Sequence, residues 1–130
     1  MLIPMMNAVV LIRRTNLRGA TVRRVVEVSE IVGVAEETNR AIFQVMYEWN
    51  PRSDSFVSRT ESVDESLAFR RIAHLKHVPT RALTSEMERR ERVLEWMARQ
   101  NISSHREVSD IVRRYYISPD EIYRKAMLSS

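Results

Sequence analysis

Cysteine is absent from this chain, and glycine nearly so: Gly19 and Gly33 are the only two among 130 residues. The lack of thiols excludes disulfides, thiolate metal sites and a cysteine nucleophile. Neither glycine is followed by Lys-Ser or Lys-Thr, so a glycine-rich phosphate loop is excluded too. No Gly-x-Ser-x-Gly elbow occurs, which removes the nucleophile of an α/β-hydrolase. Lysine is confined to Lys76 and Lys125, so the positive charge is almost all arginine. No apolar run approaches the ~20 residues of a membrane span. The apolar start "MLIPMMNAVVLIRR" has no basic segment before it and no small-residue cleavage site after it, so it does not read as a signal peptide. The expectation is a cytoplasmic protein without membrane insertion.

What is present suits one globular domain spanning 1–130: 44% hydrophobic and 29% charged residues. The formal charge is +4. It is spread evenly along the chain. Residues 1–60 hold eight arginines against six carboxylates, and residues 61–130 hold thirteen basic against eleven acidic side chains, so each half is +2. A nucleic-acid binder clusters such charge, so a mixed-charge surface and no nucleic-acid partner are expected.

The hydrophobic period changes near residue 60, from about 2 to about 3.6. This predicts an α+β fold, with an antiparallel hairpin or meander of three to four strands over 1–60, then about four helices over 61–130. "NAVVLIRR" and "ATVRRVVEVSEIV" read as a hairpin joined through "TNLRG", with Gly33 ending the second strand. "RAIFQVMYEW" alternates, placing Ile42, Gln44, Met46 and Glu48 on one side and Phe43, Val45, Tyr47 and Trp49 on the other. "SFVSR" reads as a short fourth strand. Ser62 with Glu65 forms a capping box before "LAFRRIAHL", and Ser104 with Glu107 another. A second helix starts near Thr80 or Ser85, with a stripe of Leu83, Met87, Leu94 and Met97 and with Val93 beside it. Val108, Ile111, Val112 and Tyr115 follow at i, i+3, i+4, i+7, which sends Tyr115 inward and leaves Tyr116 at the rim. Ser118-Pro119 opens the last helix.

Few residues suggest chemistry. His74 and His77 share a helix face, yet no matching ligand pair lies elsewhere and His105 stands alone; a surface or helix-end role is expected. Glu27 and Glu30 are three apart on a strand and so point to opposite faces, which does not suit a paired acid and base; solvent or salt-bridge roles follow. Trp49 and Trp96 read as packing residues. Arg13, Arg14, Arg23 and Arg24 lie on neighbouring strands of the hairpin. A pair on one face would grip phosphate or carboxylate; the plainer alternative is a solvated hairpin end. Val10, in the run "AVVLI", would sit on an unpaired strand edge and favour association. No catalytic, cofactor-binding or metal residue is assigned.

The ordered series "RRVVEVSEIVGV", "FQVMYEWNPRSDSF", "ESLAFRRIA", "EMERRERVLEWM" and "REVSDIVRRYYISPDEIY" resembles the C-terminal end of archaeal type II/IV secretion ATPases. These are the motors of archaella and archaeal type IV pili. "LIPMMNAVVLIRR" resembles a strand segment of their RecA-like core, so the resemblance runs from about Ile3 to Tyr123. It implies the C-terminal part of a RecA-like motor domain. The family binds ATP and Mg through Walker motifs and acidic and histidine boxes that lie upstream of this segment and have no counterpart here, so no catalytic residue carries over. The implied role is structural: sheet completion, subunit contacts and coupling in a hexameric motor, with the rest of the motor or identical subunits as partners and a membrane platform protein as an indirect one. An expressed fragment, a separately encoded protein and a truncated gene all fit. The alternative from the residues is a small basic nucleic-acid-binding module using "REVSDIVRRYY"; a small enzyme comes last.

Overall fold

The computed structural model describes residues 7–129. The Leu2–Met6 portion of the first motif lies outside them. The fold is α+β, with a four-stranded antiparallel sheet and four helices. The strands are β1 (Ala8–Leu17), β2 (Ala20–Ala35), β3 (Arg40–Asn50) and β4 (Ser55–Ser58), in spatial order β1-β2-β3-β4. A 3₁₀ turn (Val63–Glu65) precedes α1 (Leu67–Lys76), α2 (Thr80–Arg99), α3 (His105–Ile117) and α4 (Pro119–Leu128). All strand neighbours are hairpin-connected, and no parallel pair occurs among the described residues. The central sheet of a RecA-like core is parallel and needs crossover connections, which a meander does not supply. The chain divides into two compact units, 1–80 and 81–130. The sheet and α1 thus belong together, and the division falls well beyond the change of period near residue 60.

In the first unit, the β1–β2 turn is two residues long. Arg18 (φ 52°) and Gly19 (φ 84°) both have positive φ, as a type I′ turn requires. The Asn16 carboxamide oxygen accepts from the Gly19 amide at 3.0 Å. β1 and β2 run longer than their periodicity predicts, and β-bulges interrupt the alternation. The register shifts between Leu11 and Ile12, between Val28 and Ser29, and between Ile31 and Gly33. The second shift leaves Met46 unpaired and breaks the predicted two-sided alternation of β3. Gly33 does not end the strand. It sits inside β2 opposite Ile42, beside the unpaired Val32, and the turn falls at 36–39.

Helix starts follow local chemistry. The Ser62–Glu65 box does form, but it serves the 3₁₀ turn: the Glu65 carboxylate accepts from the Glu61 and Ser62 amides at 2.7 and 3.2 Å. Helix α1 is capped instead by Ser66, whose hydroxyl accepts from the Phe69 amide at 3.1 Å. Ser104 caps α3 as expected, accepting from the Glu107 amide at 3.2 Å.

The second unit packs around Val93, Trp96, Met97, Tyr115, Ile122 and Ala126, with Ile102, Ile111 and Tyr123 against them. Tyr115 is buried and Tyr116 exposed, as the pattern predicts. The inward stripe of α2, however, is Val93, Trp96 and Met97; Leu94 is 56% exposed and Met87 is exposed as well. Tyr115 donates to Glu86 at 2.9 Å, and Arg90 reaches the same carboxylate at 2.8 Å. Burial pushes the Glu86 carboxyl up, but these two hydrogen bonds together with the charges of Arg90 and Arg89 hold it below its usual value.

Candidate functional site

The register places the four predicted arginines as two adjacent cross-strand pairs. Arg13 lies opposite Arg24, and Arg14 opposite Arg23. Cross-strand partners share a face and successive residues alternate, so one arginine pair lies on each face of the hairpin. The pairing of β2 with β3 begins only at Glu27. From Ile12/Val25 outward to the turn, β1 and β2 therefore form a two-stranded ribbon beyond the β3 ladder. Between Arg13 and Arg24 there are five arginines and no carboxylate. The charge count by halves concealed this: the twelve residues 13–24 are a basic cluster in the sequence itself, and the hairpin folds them into one ribbon.

Like charges directly opposite one another destabilise a strand pair. One arginine of the four is compensated. Arg24 Nε and Nη2 donate to the two carboxylate oxygens of Asp54 at 2.9 and 3.0 Å. The Trp49 indole donates to Asp54 Oδ1 at 2.9 Å. The Arg24 and Trp49 hydrogen bonds hold the Asp54 carboxyl down at about 2, with a smaller contribution from the charge of Arg18. Arg24 is thus a structural anchor and not a free candidate, and Trp49 is a half-buried hydrogen-bond donor, not a core residue. The side chains of Arg13, Arg14 and Arg23 are exposed and have no hydrogen bond or ion pair with any described residue.

Val10 is 54% exposed, on β1, an edge strand. It lies opposite Val28, which lies opposite the exposed Tyr47. Ile12 is exposed as well.

The two glutamates behave differently from the expected solvent or salt-bridge roles. Glu30 is 6% exposed and reaches the start of α1: one oxygen accepts from the Ser66 hydroxyl and the other from the Leu67 amide at 2.9 Å. A carboxylate at a helix N-terminus faces unpaired amides and the positive end of the helix dipole. Glu30 therefore pins α1 to the sheet. Glu27 accepts from the Ser29 hydroxyl at 2.6 Å. Neither has the geometry of a paired acid and base. His77 is the left-handed C-cap of α1 (φ 54°), and His105 contacts the Ser109 hydroxyl at 3.2 Å. No group of three or more potential metal ligands occurs among the described residues. No helix among them is long and apolar enough to cross a membrane. The sequence reading missed the Ser66–Glu30 and Asp54–Arg24 links, whose only local sign is a short polar residue beside a helix start or turn.

No protein-family model matches the chain. It is 26% identical over 119 residues to the uncharacterized protein MJ0781 of Methanocaldococcus jannaschii, an alignment covering 92% of this chain and 16% of that protein. It is 30% identical over 103 residues to the uncharacterized protein MJ0900 of the same organism, covering 76% of this chain and 18% of that protein. The chain thus spans less than a fifth of the length of either relative.

Proposed function

We propose that this chain is a C-terminal segment of a secretion, pilus or archaellum motor ATPase, with a coupling and subunit-contact role and no phosphoryl chemistry of its own. Support comes from the ordered motif series. The observation that carries the reading is the order of those motifs along the chain; the alignment of 92% of the chain with only 16% of a longer Methanocaldococcus jannaschii protein accords with a segment of a larger polypeptide. On this reading the antiparallel meander is an appendage to a RecA-like core, and its partners are the rest of the motor and, indirectly, a membrane platform at the inner face of the membrane.

The test is to isolate the native polypeptide with an antibody against residues 81–130 and map it by peptide mass. The motor reading requires peptides of a Walker A loop, in the same polypeptide or in a stably bound subunit. A native species of 15.3 kDa without such a partner overturns it. The purified chain is expected to show no magnesium-dependent ATP turnover, since it has no glycine-rich cradle and lysine for the β- and γ-phosphates; turnover free of contaminating ATPase would also overturn it. A second reading, binding to a polyanion, is favoured by the arginine ribbon.

A further inference from the structure

We propose that the β1–β2 ribbon binds the phosphate backbone of double-stranded DNA from within its major groove. The inference goes beyond the motor reading and does not rest on it. Three arginines, Arg13, Arg14 and Arg23, carry it, being exposed and unpaired among the described residues. Their arrangement has a cost in the free protein, because Arg14 faces Arg23 directly. An anion between or beside them relieves that repulsion, so bound phosphate and the folded ribbon reinforce each other.

The distribution over both faces selects the ligand. A flat anionic surface meets one face of a ribbon and leaves the other in water. A groove with phosphates on both walls meets both. The B-DNA major groove is about 12 Å wide and admits a two-stranded β-ribbon. The RNA major groove is too deep and narrow for side-chain access. Single strands are held by aromatic stacking platforms, and residues 12–25 contain no aromatic side chain. The ribbon also lacks the glutamine and carboxylate side chains that read base edges, and its one asparagine, Asn16, is engaged with the Gly19 amide. Phosphate contact by the arginines makes binding driven by counterion release.

Three phosphate contacts give a slope of log affinity against log salt of about −2.7. Affinity should accordingly fall about 40-fold between about 50 and 200 mM salt. The probe is a fluorescent mixed-sequence DNA duplex, titrated with the full chain and read by anisotropy. Arg13→Gln/Arg14→Gln/Arg23→Gln should remove most of the salt dependence, with the exposed Arg18 of the turn keeping the rest, and lower affinity at least tenfold at low salt. Arg14→Lys/Arg23→Lys keeps the charge and should keep the slope. Arg113→Gln/Arg114→Gln, on α3, should leave binding unchanged. Hydrogen exchange of the unaltered chain should show protection of residues 13–24 when duplex is added, a readout that needs no variant to fold. Several results would overturn the proposal: no duplex binding at low salt, a slope retained in the triple glutamine variant, or protection on α3 in place of the ribbon. Binding of the ribbon to phosphatidylserine vesicles but not to the duplex would overturn it as well.

Discussion

Asp54 is a residue whose surroundings define its titration. Two donors, Arg24 and Trp49, converge on an exposed carboxylate in the β3–β4 turn and lower its pKa from 3.8 to about 2. A lowered pKa in the folded state means that the stabilising link is fully present above the unfolded value and is lost as pH falls through the folded one. The root of the ribbon should therefore loosen between about pH 4 and about pH 2 and be indifferent to pH above that window. An NMR titration of the Asp54 carboxyl carbon checks this directly: a midpoint near 2 is expected, and one at or above 3.8 would show that the Arg24–Trp49 clamp does not hold in solution. Asp54→Asn should narrow the stability difference from the unaltered protein as pH drops through the same window. Neither this clamp nor the Glu30–Ser66 link was legible in the sequence. Their partners are 30 and 36 residues apart, and nothing in a local pattern says which distant carboxylate will meet a given donor.

At the scale of elements, helix starts were legible and caps only in part: Ser104 caps α3 as read, but Ser66 and not Ser62 caps α1, and Ser118 makes no side-chain cap bond to α4. Ser104, Pro119 and the start of α2 at Thr80 depend on neighbours within four residues, which the sequence displays. Strand register does not. A bulge shifts every later side chain to the other face, and three bulges in one sheet defeat simple alternation. Helix α2 presents two apolar stripes that share Met97, Leu83-Met87-Leu94-Met97 and Val93-Trp96-Met97, and periodicity alone does not choose between Leu94 and Trp96. Tyr115, Ile122 and Ala126 choose the second by packing against it. Met97→Ala should then destabilise the second unit by about 2–5 kcal/mol, the range for truncating a buried long side chain. Leu94→Ala should cost less than about 1 kcal/mol, as for an exposed position. Urea unfolding followed by helical circular dichroism distinguishes the two. Equal costs, or a larger one at Leu94, would restore the stripe read from the sequence and refute the packing seen in the structure.

For the whole molecule, the two edges of the sheet both expose apolar side chains, Phe56 and Val57 on β4 included, but differ in length. β4 has four residues, and β1 has ten, with Val10, Leu11 and Ile12 all exposed. A long edge with unpaired backbone groups and apolar side chains favours strand addition. The chain should associate at high concentration through β1, with a second copy as the added strand. The arginines of the ribbon oppose this by repulsion, so the assembly should tighten as salt screens them. DNA binding by the same ribbon has the reverse dependence, weakening with salt because counterions must be released. The two activities of this surface are thereby separable in one experiment. Sedimentation of the full chain at low and high salt should show larger species at high salt. Val10→Lys, which places a charge on the edge, should remove them while leaving duplex binding intact. A monomer at every concentration and salt, or an assembly that ignores Val10→Lys, would mean that β1 is not an open edge in solution. The apolar row Val10, Val28 and Tyr47 would then need a cover other than a second copy.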